Sequence, residues 1–221
     1  MFKELTITSE DIEKAKKFQI YRDNIKIILN AHNRYFDKFT CTTRDAFDGY
    51  LAEKYVEKYL KDKNISVSSW DNEYRLPTEL VYKILNLDIN STSQLNSFSE
   101  DEIANIEKYF YDKWDLNIEG IGKTDVKCAA THLSPQTSWT YGIPEIQINK
   151  SGKEAVFLAY IIYDKNPKHH SDAIPIKCVF IGYKSIEDIK RFEVVTRNVR
   201  HNYNYHTPNY ELEISDFIYI D

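Results

Sequence analysis

The sequence predicts an α/β fold, with a central mixed β-sheet flanked by helices and an N-terminal helical portion before it. One observation is that residues 114–130 read as two short strands joined by a Gly-x-Gly turn. Another is a pair of apolar runs, 155–163 and 174–183, with the length and composition of buried strands. Helical spacing of apolar residues marks three segments before the hairpin, at 9–38, 44–63 and 99–114. Strands that alternate with helices in this way are typical of a sheet covered on its faces.

The length and composition favour one domain over residues 1–221, because a chain of this size with 42% hydrophobic residues can bury a single core. We expect residues 1–43 to be the N-terminal helical portion. Residues 44–183 are then the core, with an accessory insertion at 64–98, where the pattern is least clear. Residues 184–221 are expected to begin with a helix and to continue as a polar, aromatic-rich segment.

The charge and cysteine content set limits on partners and compartment. A formal net charge of −5 gives no overall support for nucleic-acid binding, although clustered basic residues would still allow it. The three cysteines (Cys41, Cys128 and Cys178) lack C-x-x-C spacing, which favours a reducing compartment over a disulfide framework or a zinc site. No apolar signal segment begins the chain, and the longest apolar run, 156–163, is too short to span a bilayer. We therefore expect a cytoplasmic protein with no membrane partner.

The hairpin at 114–130 carries the clearest chemical pattern. Alternate side chains of a strand share a face, so the acidic and basic residues of both strands fall on one side and the aliphatic residues on the other. A three-residue turn would pair Glu119 with Lys123, and hence Asp115 with Lys127. Asp115 and Asp125 then become diagonal neighbours, roughly 7–8 Å apart at Cα. Two carboxylates at this spacing suit Mg²⁺, which takes one or two protein carboxylates and leaves its other positions to water and phosphate.

These residues resemble the PD-(D/E)xK nuclease superfamily, which includes many type II restriction endonucleases. The family signature is an acid on one strand followed by a (D/E)-x-K triplet on the next, here Asp115 and then Asp125-Val126-Lys127. The family adds a glutamate from an upstream helix, and Glu53 in the segment 47–60 is the matching position, with Glu57 as a competing candidate. Trp114 stands where the family often has proline. The resemblance extends over about residues 45–185.

The resemblance implies a restriction-endonuclease-like fold and a Mg²⁺-dependent endonuclease that hydrolyses double-stranded DNA, most typically a type II restriction enzyme acting as a homodimer. Glu53, Asp115, Asp125 and the backbone carbonyl of Val126 would hold the metal, and Lys127 would orient or activate the attacking water. Two alternatives stay open. One is a repair, recombination or phage-encoded nuclease without sequence specificity, and the other is a catalytically silent nucleic-acid-binding protein.

The specificity of the motif is limited, because the chain contains a second triplet, Asp188-Ile189-Lys190, in a segment with helical spacing. That triplet follows a helix-start pattern at Ser185 and lacks a preceding acidic strand, so 125–127 is the better candidate. The alternative for the hairpin is a solvated surface whose ion pairs contribute little.

Two segments are candidate DNA contacts. The loop 131–142 follows the triplet strand and is rich in hydrogen-bonding and aromatic side chains, among which we single out Gln136, Ser138, Trp139 and Tyr141. The tail interleaves basic, amide and aromatic side chains, which read base edges and stack on bases. Its candidates are Arg197, Arg200, Asn202, Tyr203 and Asn204. The alternative for the first segment is a loop that only caps the core, and for the tail a polar loop between two strands explains the pattern nearly as well.

Overall fold

The computed structural model describes residues 2–35, 43–149, 152–198 and 203–220, without the side chains of residues 43, 44 and 203. Their strands are β1 (Lys3–Thr6), β2 (Val67–Ser69), β3 (Leu116–Ile118), β4 (Gly122–Thr131), β5 (Thr140–Pro144), β6 (Ala155–Tyr163), β7 (Pro175–Ser185), β8 (Val194–Asn198) and β9 (Tyr203–Glu213). Their helices are α1 (Ser9–Ala31), α2 (Thr43–Asp62), α3 (Trp70–Glu73), α4 (Thr78–Leu85), α5 (Thr92–Leu95), α6 (Glu100–Phe110), α7 (Glu145–Ile148) and α8 (Ile186–Ile189), and a 3₁₀ turn spans Ile214–Asp216.

Six strands form the main sheet in the order β1-β7-β6-β4-β3-β2. The pair β4–β6 is parallel and all other neighbours are antiparallel, so the predicted mixed sheet with helices is confirmed. Every residue of β6 is buried, as its apolar run predicts. A second sheet of three strands, β5-β9-β8, packs against the main one.

Two apolar cores lie on the two faces of the main sheet. On one face, α2 packs its buried residues against alternate side chains of β6 such as Phe157 and Ile161. On the other face, the intervening side chains of β6, Val156 and Leu158 among them, pack against β5 and β9. A third cluster joins α1, α4 and α6 into a helical lobe. Within the described residues, no helix has both the length and the apolar character needed to cross a membrane.

The hairpin β3–β4 forms where it was predicted, but its register differs by two residues. Asn117 pairs with Lys123 and Ile118 with Gly122, whereas the prediction placed Lys123 opposite Glu119. The turn closes one residue earlier, because Ile121 donates its N–H to the carbonyl of Ile118. An even shift keeps each side chain on its predicted face, so the separation of polar and apolar residues survives.

Three other regions differ from the prediction. The N-terminal portion begins with β1, which pairs with β7, before α1 starts behind a capping box formed by Thr8 and Asp11. The segment 64–98 supplies the edge strand β2 in addition to α3–α5, so it is part of the sheet. The helix after Ser185 ends at Ile189, and the chain beyond it forms β8 and β9, which join β5 in the second sheet.

Candidate active site

Helix α2 brings Glu53 to the edge of a cavity. Its main apolar stripe is buried against the sheet, as predicted, at Phe47, Leu51, Tyr55 and Tyr59. Glu53 lies on the flank of this stripe and lines the cavity between α1 and α2. Glu57, one turn further on, is instead paired with Lys54 at 3.5 Å and with Lys61 at 2.7 Å. The structure therefore places Glu53, and not Glu57, beside the other candidate carboxylates.

Asp115 is hydrogen-bonded to β4, the strand that carries the triplet Asp125-Val126-Lys127. One of its carboxylate oxygens, Oδ2, accepts a hydrogen bond from the backbone N–H of Val126 at 2.6 Å. Its own backbone N–H donates to the carbonyl of Thr124, and its carbonyl accepts from the N–H of Trp70, both at 3.0 Å. Asp115 is thus held from both sides immediately before β3, next to the triplet.

Asp125, Lys127 and Lys153 form what we call the lysine cluster. The Nζ atom of Lys127 lies 2.7 Å from Asp125 Oδ2, and that of Lys153 lies 2.8 Å from Asp125 Oδ1. Although burial alone would raise it, the two ammonium groups hold the pKa of Asp125 below its ordinary value. Burial opposes the charge of Lys127 as well, yet the neighbouring aspartates raise its pKa. Asp125 and Lys127 are therefore both charged near neutral pH.

Glu53, Asp112 and Asp115 form a second group, the carboxylate cluster. Burial, together with the charges of Asp71 and Asp112, raises the pKa of Glu53 to about 8. Burial, with repulsion from Glu53 as the next largest cause, raises the pKa of Asp115 well above its ordinary value. Desolvation in the cavity also raises the pKa of Asp112, although its side chain is still 41% exposed and Arg22, whose guanidinium lies 3.9 Å away, partly offsets the rise. These groups share an excess of negative charge that protons or a cation would relieve.

The cavity has a volume of about 510 Å³, within the usual range of small-ligand sites of about 300–1,000 Å³. All members of the carboxylate cluster line it, and Asp71 lines it beside them. Asp125 and Lys127, which are among the described residues, lie outside its lining. The cavity is therefore acidic on the side of the sheet and adjoins the lysine cluster through Asp115.

The two clusters approach Asp115 from different faces of the main sheet. Asp125 is aligned with Val156 of β6, whose side chain packs in the core beneath the three-stranded sheet, so Asp125 and Lys127 project from that face. Val126 projects from the other face, into the core beneath α2. The prediction placed the polar groups of the hairpin on one face and Glu53 on a helix packed against the sheet; in the structure Glu53 reaches Asp115 from the face covered by α2, opposite to Asp125 and Lys127.

A divalent cation fits part of this donor set. Among the described residues, no three His, Cys, Asp or Glu side chains are grouped so as to hold a metal ion together. Mg²⁺ needs only one or two carboxylates besides water and phosphate, and Glu53 with Asp115 supplies that number at the cavity. Both oxygens of Asp125 are engaged by lysines, so the structure favours it less as a ligand than the sequence suggested.

Known proteins do not identify the chain. Comparison with models of protein families, with curated protein sequences and with solved structures found no match. The function is therefore inferred from the two clusters and the cavity that they adjoin.

The candidate DNA contacts of the loop divide into two pairs. Gln136 and Ser138 are exposed. Trp139 packs against the second core, with its ring centroid 5.9 Å from that of Tyr160. Tyr141 donates a hydrogen bond to the carbonyl of Cys128 at 3.2 Å, beside the triplet. The last two side chains thus have structural contacts of their own, and a DNA-binding role for any of the four stays a prediction.

The tail candidates lie on the second sheet. Arg197 of β8 is paired in register with Asn204 of β9, and both are exposed. Arg200 and Asn202 lie outside the described residues, as does the side chain of Tyr203, whose backbone begins β9. The DNA-contacting role of this segment also stays a prediction.

Two site residues were missed by sequence reasoning. Lys153 precedes β6, and only the parallel pairing of β6 with β4 brings it to Asp125. That pairing joins strands far apart in the chain and has no local sequence signal. Asp112 did carry a signal, because it lies three residues before Asp115 in the same acidic approach to the hairpin.

Proposed function

We propose that the protein is a Mg²⁺-dependent DNA endonuclease with a restriction-endonuclease-like fold. The observation that carries the proposal is the hydrogen bond from the N–H of Val126 to the carboxylate of Asp115, which ties the first acid of the motif to its triplet. Glu53 on the upstream helix lines the same cavity as Asp115, in agreement with the role that the resemblance implies. A mixed sheet with this helix on one face also agrees with the resemblance.

Each residue of the proposed active site has a separate role. Glu53 and Asp115 would hold the cation at the cavity. The chemistry that Mg²⁺ would supply there is polarisation of the scissile phosphate and a lower pKa for the attacking water. Lys127 keeps its proton, because its pKa is raised, so it acts through its positive charge and not as a base. Asp125 positions the ammonium group of Lys127 by its contact at 2.7 Å.

We further propose that the substrate is double-stranded DNA and that the enzyme acts as a homodimer, because one such site cuts one strand and a double-strand break requires two. Sequence-specific restriction predicts discrete bands when plasmid DNA is digested. A repair, recombination or phage-encoded nuclease without sequence specificity predicts a smear. Sequencing the fragment ends of a mixed plasmid digest gives the recognition site in the first case.

The decisive experiment compares the two D-x-K triplets of the chain. Lys127→Met removes the ammonium group of the site, and we expect it to lower Mg²⁺-dependent plasmid cleavage by at least about 100-fold, the scale of a lost electrostatic contact to the transition state. Lys190→Met makes the same change in the second triplet, at an exposed position, and is expected to cleave like the wild type. Equal activity of the two variants would exclude this site.

A catalytically silent DNA-binding protein is the remaining alternative. It predicts that the wild type binds DNA, by fluorescence anisotropy, but cleaves none with Mg²⁺ or Mn²⁺. The nuclease proposal predicts instead that the Lys127→Met variant binds DNA about as well as the wild type and loses cleavage only.

A further inference from the structure

The walls of the cavity carry aromatic rings as well as acids. Phe18 of α1 and Tyr50 of α2 stack directly on each other with their centroids 4.7 Å apart, and both line the cavity. Trp70, Phe110 and Tyr111 line it as well. Trp70 and Phe110 are almost fully buried, with Tyr74 and Arg22 against their rings, so the partly exposed rings at the cavity are those of Phe18, Tyr50 and Tyr111. Aromatic rings bind nucleobases by stacking, and they accept every base because each base has a π-face.

One wall also carries two cations in line with Phe18. Arg22 and Lys26 follow it at successive turns of α1, so all three side chains lie along one edge of the helix. The guanidinium of Arg22 lies 4.3 Å from the ring centroid of Phe110 and remains at the cavity. A phosphate beside these side chains would be in contact with positive charge, in addition to the aspartates that they already face, Asp112 at 3.9 Å from Arg22 and Asp23 at 3.7 Å from Lys26.

The candidate metal ligands and the aromatic rings belong to one cavity. A phosphate that reaches Glu53 and Asp115 therefore brings its own nucleotide among the rings. A nucleotide inside a continuous duplex is stacked on its neighbours, and an enzyme that encloses it has to take it out of the stack. The volume of about 510 Å³ suits one small ligand and not a duplex.

We propose that the cavity between α1 and α2 binds one unstacked nucleotide of the substrate strand, with its base against the aromatic rings and its phosphate beside Arg22 and Lys26. This inference rests on the proposed nuclease function and specifies its substrate. Single-stranded or locally unpaired DNA is bound directly, and duplex DNA is cleaved only where a nucleotide has left the stack.

Gly49 offers a way to fill the cavity without removing any contact. It lines the cavity in the middle of α2, and a Cβ added there meets no atom within 4 Å. Leucine at this position adds bulk to the cavity and is a better helix former than glycine, so the fold is retained. Ala31→Leu adds comparable bulk at an exposed position of α1, away from the cavity, and is the matched control.

The experiment measures the binding of a fluorescent, mixed-sequence single strand and of the same sequence as a duplex, with Ca²⁺ in place of Mg²⁺. We expect the wild type to bind the single strand at least as tightly as the duplex. Gly49→Leu should weaken binding of the single strand by roughly tenfold, the scale of a lost base-stacking contact. Ala31→Leu should remain within about twofold of the wild type, as surface substitutions do.

The outcomes separate this inference from the proposed function. If Gly49→Leu binds and cleaves DNA like the wild type, the cavity holds no nucleotide, and the nuclease proposal stands without it. If the wild type neither binds nor cleaves DNA of either form, both proposals are overturned. A loss in Gly49→Leu with thermal stability at or above the wild-type value supports the nucleotide site.

Discussion

The lysine cluster and the carboxylate cluster adjoin each other, yet their electrostatics are opposite. In the first, one aspartate is shared by two lysines, and its pKa is lowered. In the second, three carboxyl groups line one cavity with Arg22 at 3.9 Å from Asp112, and desolvation together with repulsion from neighbouring carboxylates raises their pKa values. In the lysine cluster, two lysines of the protein itself neutralise the negative charge of Asp125. The carboxylate cluster, in contrast, would be stabilised by an added positive charge. In the proposed nuclease, this difference would place the cation at the cavity and the ammonium group of Lys127 at the sheet.

Asp125→Asn is expected to destabilise the lysine cluster most, because it leaves two lysines without their shared partner. The side chain of Asp125 is only 6% exposed, and those of Lys127 and Lys153 are 20% and 10% exposed, so water compensates poorly for the loss. We expect the free energy of unfolding in urea to fall by about 3 kcal/mol or more, the usual cost of breaking a buried ion pair on one side. Glu4→Gln, which removes an ion pair that is nearly half exposed, should cost less than about 1 kcal/mol.

The same variant has a pH signature. The pKa of Asp125 is lowered in the folded protein, so its contribution to stability is present above about 3.8 and is lost as the pH falls below that value. The difference in stability between the wild type and Asp125→Asn should therefore shrink towards acid pH. A difference that is small at neutral pH, or constant with pH, would mean that the two lysines are not held by Asp125.

The second prediction concerns Glu53→Gln and has the opposite sign. The pKa of Glu53 is raised to about 8, so the folded protein retains a proton that the unfolded chain has released above about 4.5. The wild type therefore loses stability as the pH rises from about 4.5 to 8, and the neutral glutamine does not. We expect Glu53→Gln to be more stable than the wild type at pH 8.5 by on the order of 2 kcal/mol and equal to it near pH 4, measured by urea unfolding across this range.

This variant also tests what relieves the carboxylate cluster. If a divalent cation binds there, Mg²⁺ should raise the melting temperature of the wild type at pH 8.5 more than that of Glu53→Gln, because ligand that binds only the folded state stabilises it. An equal increase in both would place the cation elsewhere. A stability that rises with pH in the wild type relative to Glu53→Gln would contradict the raised pKa itself.

The contrast between the two clusters also marks how far the sequence could predict the site. Alternation along 114–130 predicted the faces of the hairpin, and the apolar stripe of α2 placed Glu53 on its flank, because both patterns are local. The register was wrong by two residues, since an even shift preserves the alternation on which the prediction rested. Lys153 depends on the parallel pair β4–β6, which no local pattern specifies.

The second sheet was missed for the same physical reason. Strand β5 pairs with β9, and more than sixty residues of chain separate Ile143 from its partner Tyr210. The short helix after Ser185 does have a local start signal, and it forms there, but its end at Ile189 is followed by strands whose partner lies far back in the chain. Sequence patterns thus predicted the hairpin, the buried strands β6 and β7, and the helices α2 and α6, whereas strands β1, β8 and β9 depend on pairing with distant parts of the chain.

Glu57→Gln should have the mildest effect, and it tests which of the two glutamates of α2 belongs to the proposed active site. Glu57 is paired with Lys54 and Lys61, whose side chains are 30% and 56% exposed, so its loss should lower the free energy of unfolding by at most about 1 kcal/mol. Its carboxylate is engaged away from the cavity, and we expect plasmid cleavage to stay at the wild-type rate, while Glu53→Gln loses it. Activity lost in Glu57→Gln and kept in Glu53→Gln would reverse the assignment and move the cation away from Asp115. The two variants make the same chemical change one helical turn apart, so a difference in their activity reflects the position of the glutamate and not the loss of a charge. Only the glutamate that lines the cavity should matter for catalysis.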